Sequence, residues 1–230
     1  MKWLTGRGVV AALGVGVAVG GGLGWRGFVP LLAFFISGSL LTQLTGGEGG
    51  RRTAAQVLAN GGVAAIAALL GAWTAALGSL AAATADTWAT ELGSFARRPP
   101  RLITTGQAVP AGTSGGITVL GTAGGVVGAA VMGLLGATLS LDRGSLPSRF
   151  LVIGGAGVIG MLADSLLGAT RQASYRCSVC DQRSEHAHAE CHGPMQLVKG
   201  WRWLDNDGVN FAATLAGGAS AAMGTWLLGR

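Results

Sequence analysis

The chain has 230 residues, 50% of them hydrophobic and only 11% charged, with a mean hydropathy of +0.50 and a formal net charge of +6. A soluble domain carries roughly a quarter charged residues, so this composition excludes an ordinary water-soluble fold and points to a bilayer. The Lys and Arg residues are scattered between apolar segments and form no dense basic patch, so the positive charge does not mark a nucleic-acid binder.

The 42 glycines point the same way. In water each interior Gly would cost a helix about 0.8–1 kcal/mol against Ala, whereas in lipid small residues let helix backbones approach closely. Collagen is excluded by the lack of a three-residue period and by only 6 prolines.

In chain order, apolar segments at 8–23, 28–43, 54–71, 74–91, 117–140, 149–169 and 208–228 predict an all-α polytopic membrane domain of about seven helices. Several are short for the hydrocarbon core, which implies tilting or local thinning. The first follows Lys2 and Arg7 and is expected to stay as a span, not to be cleaved as a signal peptide. The runs Gly14–Gly20 and Gly121–Gly128 predict small-xxx-small contacts between helices. Gly71-Ala-Trp73 predicts a tight hairpin between the third and fourth segments.

Seven spans would place Lys2, Arg7, Arg51, Arg52, Arg97, Arg98, Arg101 and the basic residues of 171–205 on one side. The other side holds Arg26, Arg143, Arg149 and Arg230. The positive-inside rule then puts the N-terminus in the cytoplasm and the C-terminus outside; the membrane expected is a bacterial-type inner membrane. Residues 1–230 read as one membrane domain, with 171–205 as an inserted cytoplasmic loop.

The polar residues gather on the cytoplasmic side of that topology. Asp86 and Glu91 fall near the inner end of the fourth segment and Asp164 near that of the sixth. Asn206, Asp207 and Asn210 open the seventh, and Asn60 lies about two turns into the third. A lone acid is as readily a cap or a structural hydrogen-bonding group. Several converging on one membrane face mark a functional cavity, because charge in a span is expensive.

Asn206 and Asn210 are four apart, Asp207 and Asn210 three, and Asp86/Thr90 and Thr87/Glu91 each four, so each pair can share a helical face. Hard oxygen ligands of this kind suit Mg2+ completed by substrate phosphates. A proton or sodium pathway would use similar carboxylates.

The stretch Gly112-Thr-Ser-Gly-Gly116 leads into the fifth segment, where backbone N–H groups and a helix dipole would favour a phosphate. Arg101 would add a bidentate contact. The alternative is a Gly/Pro-rich turn with a hydroxyl cap, and the absence of Gly-Lys-[Ser/Thr] excludes a Walker A loop.

All 3 cysteines lie between 171 and 205. Cys177-Ser-Val-Cys180 with Cys191 and either His188 or His192 matches a tetrahedral Cys3His zinc site, structural because no position stays open. The odd count and a reducing compartment argue against a disulfide.

Three runs, Ala85-Asp-Thr-Trp-Ala-Thr-Glu-Leu-Gly93, Pro100-Arg-Leu-Ile-Thr-Thr105 and Val109-Pro-Ala-Gly-Thr-Ser-Gly-Gly116, resemble the phytyl-phosphate kinase family of integral membrane proteins, long filed as a domain of unknown function. Gln56-Val-Leu-Ala-Asn60, Asp164-Ser-Leu-Leu-Gly-Ala-Thr170 and Asn206-Asp-Gly-Val-Asn210 are similar to its other motifs, in the same order along the chain.

The resemblance implies conversion of an isoprenoid monophosphate, phytyl or polyprenyl, to its diphosphate by a nucleoside triphosphate with Mg2+. On that basis Asp86, Glu91, Asp164 and Asp207 are expected at the metal and the in-line alignment. Asn60, Asn206, Asn210, Arg101, Thr104, Thr105, Thr113, Ser114, Gly115 and Gly116 are expected at phosphates or nucleotide. The expected partners are the nucleotide, the isoprenoid phosphate and membrane lipids, with no nucleic acid.

A transporter of an anionic lipid phosphate or coupled cation is the main alternative, and a cytidylyltransferase-like lipid enzyme a further one. A transporter favours acids at mid-membrane and inverted repeats of broken helices. Here the acids lie near one face, which favours the kinase.

Overall fold

The computed structural model describes residues 3–46, 51–141, 145–185 and 192–228. Six helices dominate them: α1 (Gly6–Leu44), α2 (Ala54–Leu69), α3 (Trp73–Gly93), α4 (Val119–Leu139), α5 (Leu146–Thr170) and α6 (Asn206–Leu228).

The first two predicted segments are joined in α1. A straight helix would hold Trp3 and Phe35 roughly 48 Å apart at 1.5 Å per residue, yet their rings meet at 5.6 Å between centroids. The chain therefore folds back on itself, at Gly24, whose φ of 65° and ψ of −165° only glycine adopts readily. The run from Gly14 to Gly20 makes no close helix seam: Gly14 faces open space, and Gly16 and Gly20 leave room for the Phe28 ring of the returning arm.

Helix α3 is the centre of the bundle. Residues Ala76 to Ala85 are buried without interruption, and all five other helices pack against it. Its sequence of Ala, Gly, Ser and Thr permits that density, since backbones meet closely only where side chains are small. Gly121, Gly124, Gly125 and Gly128 of α4 all face α3, and a Cβ on Gly125 would lie 2.8 Å from the Ala85 carbonyl. From α6, Gly217 sits against Ala82 and the Gly78 carbonyl, where a Cβ would lie 2.6 and 2.7 Å away. Gly217→Val is expected to destabilise the bundle by about 1–3 kcal/mol, the usual cost of overpacking, read as a lower midpoint of thermal unfolding in detergent.

Helices α1, α4, α5 and α6 are long and apolar enough to cross a membrane. α2 is shorter, with 16 residues, and α3 is sheltered by its neighbours from whatever surrounds the bundle. Val17 and Leu151 stand outward at 74% and 67% exposure, the kind of apolar surface that lipid covers.

The connections carry strands that the all-α expectation omits. β1 (Arg101–Leu102) pairs antiparallel with β2 (Gly116–Ile117), closing the glycine-rich loop at its base. Between α5 and α6, β3 (Ser174–Cys177), β4 (Arg183–Ser184) and β5 (Met195–Lys199) form an antiparallel sheet in the order β4-β3-β5.

Candidate functional site

Two cavities lie at the ends of the helices where the polar residues gather, one of about 780 Å³ and one of about 650 Å³. They share four lining residues, Asp86 and Thr90 of α3, Asp164 of α5 and Asn206 of α6. The four-residue spacing of Asp86 and Thr90 puts both on the shared wall, while Thr87 and Glu91, one step round α3, face only the larger cavity.

At the junction the carboxyl groups of Asp86 and Asp164 touch each other, and the charge of Glu185 acts on Asp164. Asp164 Oδ2 is enclosed with no hydrogen-bond donor. Such an acceptor is costly unless something compensates it, and a cation between two carboxylates does so. Among the described residues no three His, Cys, Asp or Glu side chains converge on one point. A carboxylate pair still meets what Mg2+ asks of a protein when phosphates and water supply the remaining ligands.

The larger cavity is walled by α1, α2, α3, the segment before α2, and Asp164 of α5 with Asn206 and Asn210 of α6. Except for Trp3 and Phe34, every side chain lining it is polar, among them Gln43, Arg51, Gln56, Asn60 and Asn210. Arg52 lies over the rings of Phe34 and Phe35, 5.9 Å from each centroid. Its backbone ties down the N-terminal segment through Arg52 N–H to Trp3 C=O (2.9 Å) and Thr5 N–H to Arg52 C=O (3.1 Å). Burial lowers the pKa of Arg52, and the charge of Glu91 partly offsets that.

The smaller cavity is floored by the glycine-rich loop. Gly115, at φ 81°, sits so close to Ala169 that no side chain fits between them, which seats Ser114 beside the end of α5. The loop is braced by its own bonds, Thr113 Oγ1 to Pro110 C=O (2.7 Å) and Gly116 N–H to Thr113 C=O (2.9 Å). The first turn of α4 is capped by Thr118 Oγ1, which accepts from Gly121 N–H at 2.9 Å. Part of the free N–H array expected there is thus already used.

The structure separates the sequence-predicted residues into groups. Asp86, Asp164, Asn206, Asn60, Asn210, Thr113, Ser114, Gly115 and Gly116 line one or both cavities. Glu91 lines the larger one as a fastening: its two oxygens accept from Thr42 Oγ1 and Thr45 Oγ1, each at 2.5 Å, holding the end of α1 to α3. Asp207 lines neither cavity. Asp205 caps α6 through Gly208 N–H at 2.9 Å, which sets the phase of the helix, and Asp207 falls in its first turn where its charge suits the dipole.

Arg101, Thr104 and Thr105 also line neither cavity. Arg101 Nη1 donates to the Gly106 carbonyl at 2.7 Å and Thr105 Oγ1 accepts from Gln107 N–H, so both serve their own turn.

Sequence reasoning missed several residues that the fold brings in. Glu185 follows β4 and accepts from Ser114 Oγ at 2.6 Å. Gln172, 2% exposed, lines the smaller cavity with its Nε2 unpaired. Arg97 and Arg98 line the same cavity. Lys199 of β5 donates to the Gly168 carbonyl at 2.8 Å, clipping the inserted sheet to α5; burial lowers its pKa, opposed by Glu185 and reinforced by Arg183.

Of the zinc residues, Cys191 and His188 lie outside the described residues, and His192 is exposed. Cys177 is buried and Cys180 exposed. Their turn aims Val179 N–H at Cys177 Sγ (3.5 Å).

Comparison with known proteins places the chain in a family. The chain matches the family described as "Integral membrane protein DUF92" over residues 1–218. It is 34% identical to "Protein PGR" of Arabidopsis thaliana over 84% of this chain and 79% of that protein. An uncharacterized membrane protein of Methanocaldococcus jannaschii is 41% identical over 64% of this chain and 65% of its own length. One from Synechocystis is 30% identical over 96% and 82% respectively. No solved structure matches the chain. The chain is an integral membrane protein and belongs to the DUF92 family.

Proposed function

We propose that the protein is a membrane-embedded kinase that converts an isoprenoid monophosphate to its diphosphate at the expense of a nucleoside triphosphate. The observation that carries this reading is the pair of cavities meeting at Asp86, Thr90, Asp164 and Asn206. Phosphoryl transfer is mostly a problem of holding donor and acceptor in line while neutralising their charge, and two cavities with a shared acidic wall provide two seats and a meeting point.

In this reaction an oxygen of the acceptor monophosphate attacks the γ-phosphorus, the bond from that phosphorus to the β–γ bridging oxygen breaks, and the nucleoside diphosphate leaves. A phosphate monoester is already ionised at neutral pH, so no strong general base is required. Arg51 and Arg52 on one side and Arg97 and Arg98 on the other supply fixed positive charge. Asp86 and Asp164 would hold Mg2+, which when bound neutralises charge on the transferring phosphoryl group, and Asn206 would orient an oxygen beside it.

All seven predicted segments cross the membrane in this reading, the two arms of α1 as a pair, with the cavities and the N-terminus on the cytoplasmic side and the C-terminus outside. Zinc belongs to the reading as a structural ion of the inserted sheet, on the spacing of Cys177, Cys180 and Cys191. Cys177 Sγ accepts from Val179 N–H at 3.5 Å and faces the Gly193 carbonyl at 3.7 Å, and as a thiolate it would keep the first of these contacts when holding the metal. Purified protein is expected to hold one zinc per chain and Cys180→Ser to lose it, as read by elemental analysis. Zinc-free wild-type protein would remove this element.

The test of the activity is transfer of label from a γ-labelled nucleoside triphosphate to phytyl or geranylgeranyl monophosphate by protein in nanodiscs with Mg2+. Labelled lipid diphosphate is expected. Its absence with every nucleotide, from folded protein, would overturn the reading.

A further inference from the structure

Resting on the kinase reading, we infer that the smaller cavity is the seat of the lipid monophosphate and the larger that of the nucleotide. The two cavities differ in chemistry. The larger is polar on every side chain but Trp3 and Phe34, so it offers amides and hydroxyls for a base and sugar, with Arg51 and Arg52 for phosphates. It offers no apolar path for a hydrocarbon tail.

The smaller cavity is amphipathic, as an amphiphile requires. Besides the shared acidic wall, its polar lining is Arg97, Arg98, Gln172 and Ser114, the last donating to Glu185, with further hydroxyls. The Gln172 side chain is 2% exposed and its Nε2 has no acceptor, an unpaired buried donor that a phosphate oxygen would satisfy. Its apolar lining includes Met161 and Leu162 of α5, with Val109 and Ile117 at the base of the glycine-rich loop. Leu162 lines the cavity and is 43% exposed, on a helix long and apolar enough to cross the membrane. On this assignment a prenyl tail leaves the cavity past Leu162 while the phosphate stays at the Asp86–Asp164 junction.

The experiment measures KM for each substrate separately in nanodiscs, together with photolabelling by a diazirine-bearing prenyl monophosphate. Leu162→Trp and Gln172→Met are expected to raise KM for the lipid monophosphate at least fivefold and leave KM for the nucleotide within twofold. Gln43→Leu and Arg51→Gln are expected to do the reverse. The photoprobe is expected to label α5 around Leu162 and to leave Trp3 and Phe34 unlabelled.

The opposite KM pattern, or label on Trp3 and Phe34, would overturn the assignment. The photoprobe also works without turnover, so label on α5 in a protein with no transfer activity would sustain the lipid seat and overturn only the kinase. Loss of the α5 label in Leu162→Trp, with unchanged thermal unfolding, separates blocked entry from misfolding.

Discussion

Asp164→Asn is expected to lower kcat by roughly 10²–10³-fold, the usual cost of one preorganised charge-stabilising group, and to raise the stability of the protein. The two effects share a cause. Asp86 and Asp164 hold their carboxyl groups in hydrogen-bonding contact with each other, with the charge of Glu185 acting on Asp164 and Asp164 Oδ2 lacking any donor. Burying two acidic groups side by side with an oxygen left without a donor works against folding. An amide in place of Asp164 cannot ionise and always offers an N–H to Asp86, a gain of about 1 kcal/mol by the scale of a buried hydrogen bond. A residue kept for structure would lose stability on substitution, whereas a site that stores strain for function gains it. Kinetics with saturating substrates and a thermal unfolding midpoint without Mg2+ check the two signs. A fall in both would make Asp164 a structural residue.

Gly115→Ala is expected to reduce turnover by roughly 10²-fold, the scale on which a displacement of about 1 Å spoils alignment. At φ 81° an added Cβ is strained whatever surrounds it, and here it would also run into the backbone of Ala169. The loop would have to lift from α5 and carry Ser114 away from the junction. Gly112→Ala is the control: its φ of 78° carries the same strain, but a Cβ there faces open space. It is expected to lower the unfolding midpoint slightly and to keep most activity. Equal loss in the two variants would mean that backbone strain, and not the seat against Ala169, sets the position of the loop.

Much of this arrangement was legible in the order of residues, for physical reasons. A glycine run with one turn's spacing, such as Gly121–Gly128, has few uses in an apolar helix other than close approach, and it faces α3. The grouping of Asp86, Asp164, Asn206 and Asn210 followed from their placement at one end of apolar segments.

What spacing cannot convey is the phase of a helix and the choice of partner. Asp207 is as well spaced from Asn210 as its neighbours are, but the cap at Asp205 fixes the register. Glu91 is as acidic as Asp86, but Thr42 and Thr45, distant in sequence, take both its oxygens. Arg101 sits in a motif that suggests phosphate, yet the Gly106 carbonyl is within reach in its own turn. Gln172 and Glu185 stood outside every pattern because only the packing of the inserted sheet on α5 brings them to the cavity. The break between the first two segments, by contrast, was legible, because Gly24-Trp-Arg-Gly27 interrupts the apolar run, and the chain folds back there at Gly24.

Conversion of lipid phosphate at the Asp86–Asp164 wall is tested in sealed liposomes bearing the protein, with labelled prenyl monophosphate and a nucleoside triphosphate supplied on one side with Mg2+. A kinase yields prenyl diphosphate on the side of the nucleotide, none with Asp164→Asn, and no protein-dependent crossing of the monophosphate. Protein-dependent crossing of unconverted monophosphate, with no diphosphate formed, would contradict the kinase and make the protein a transporter.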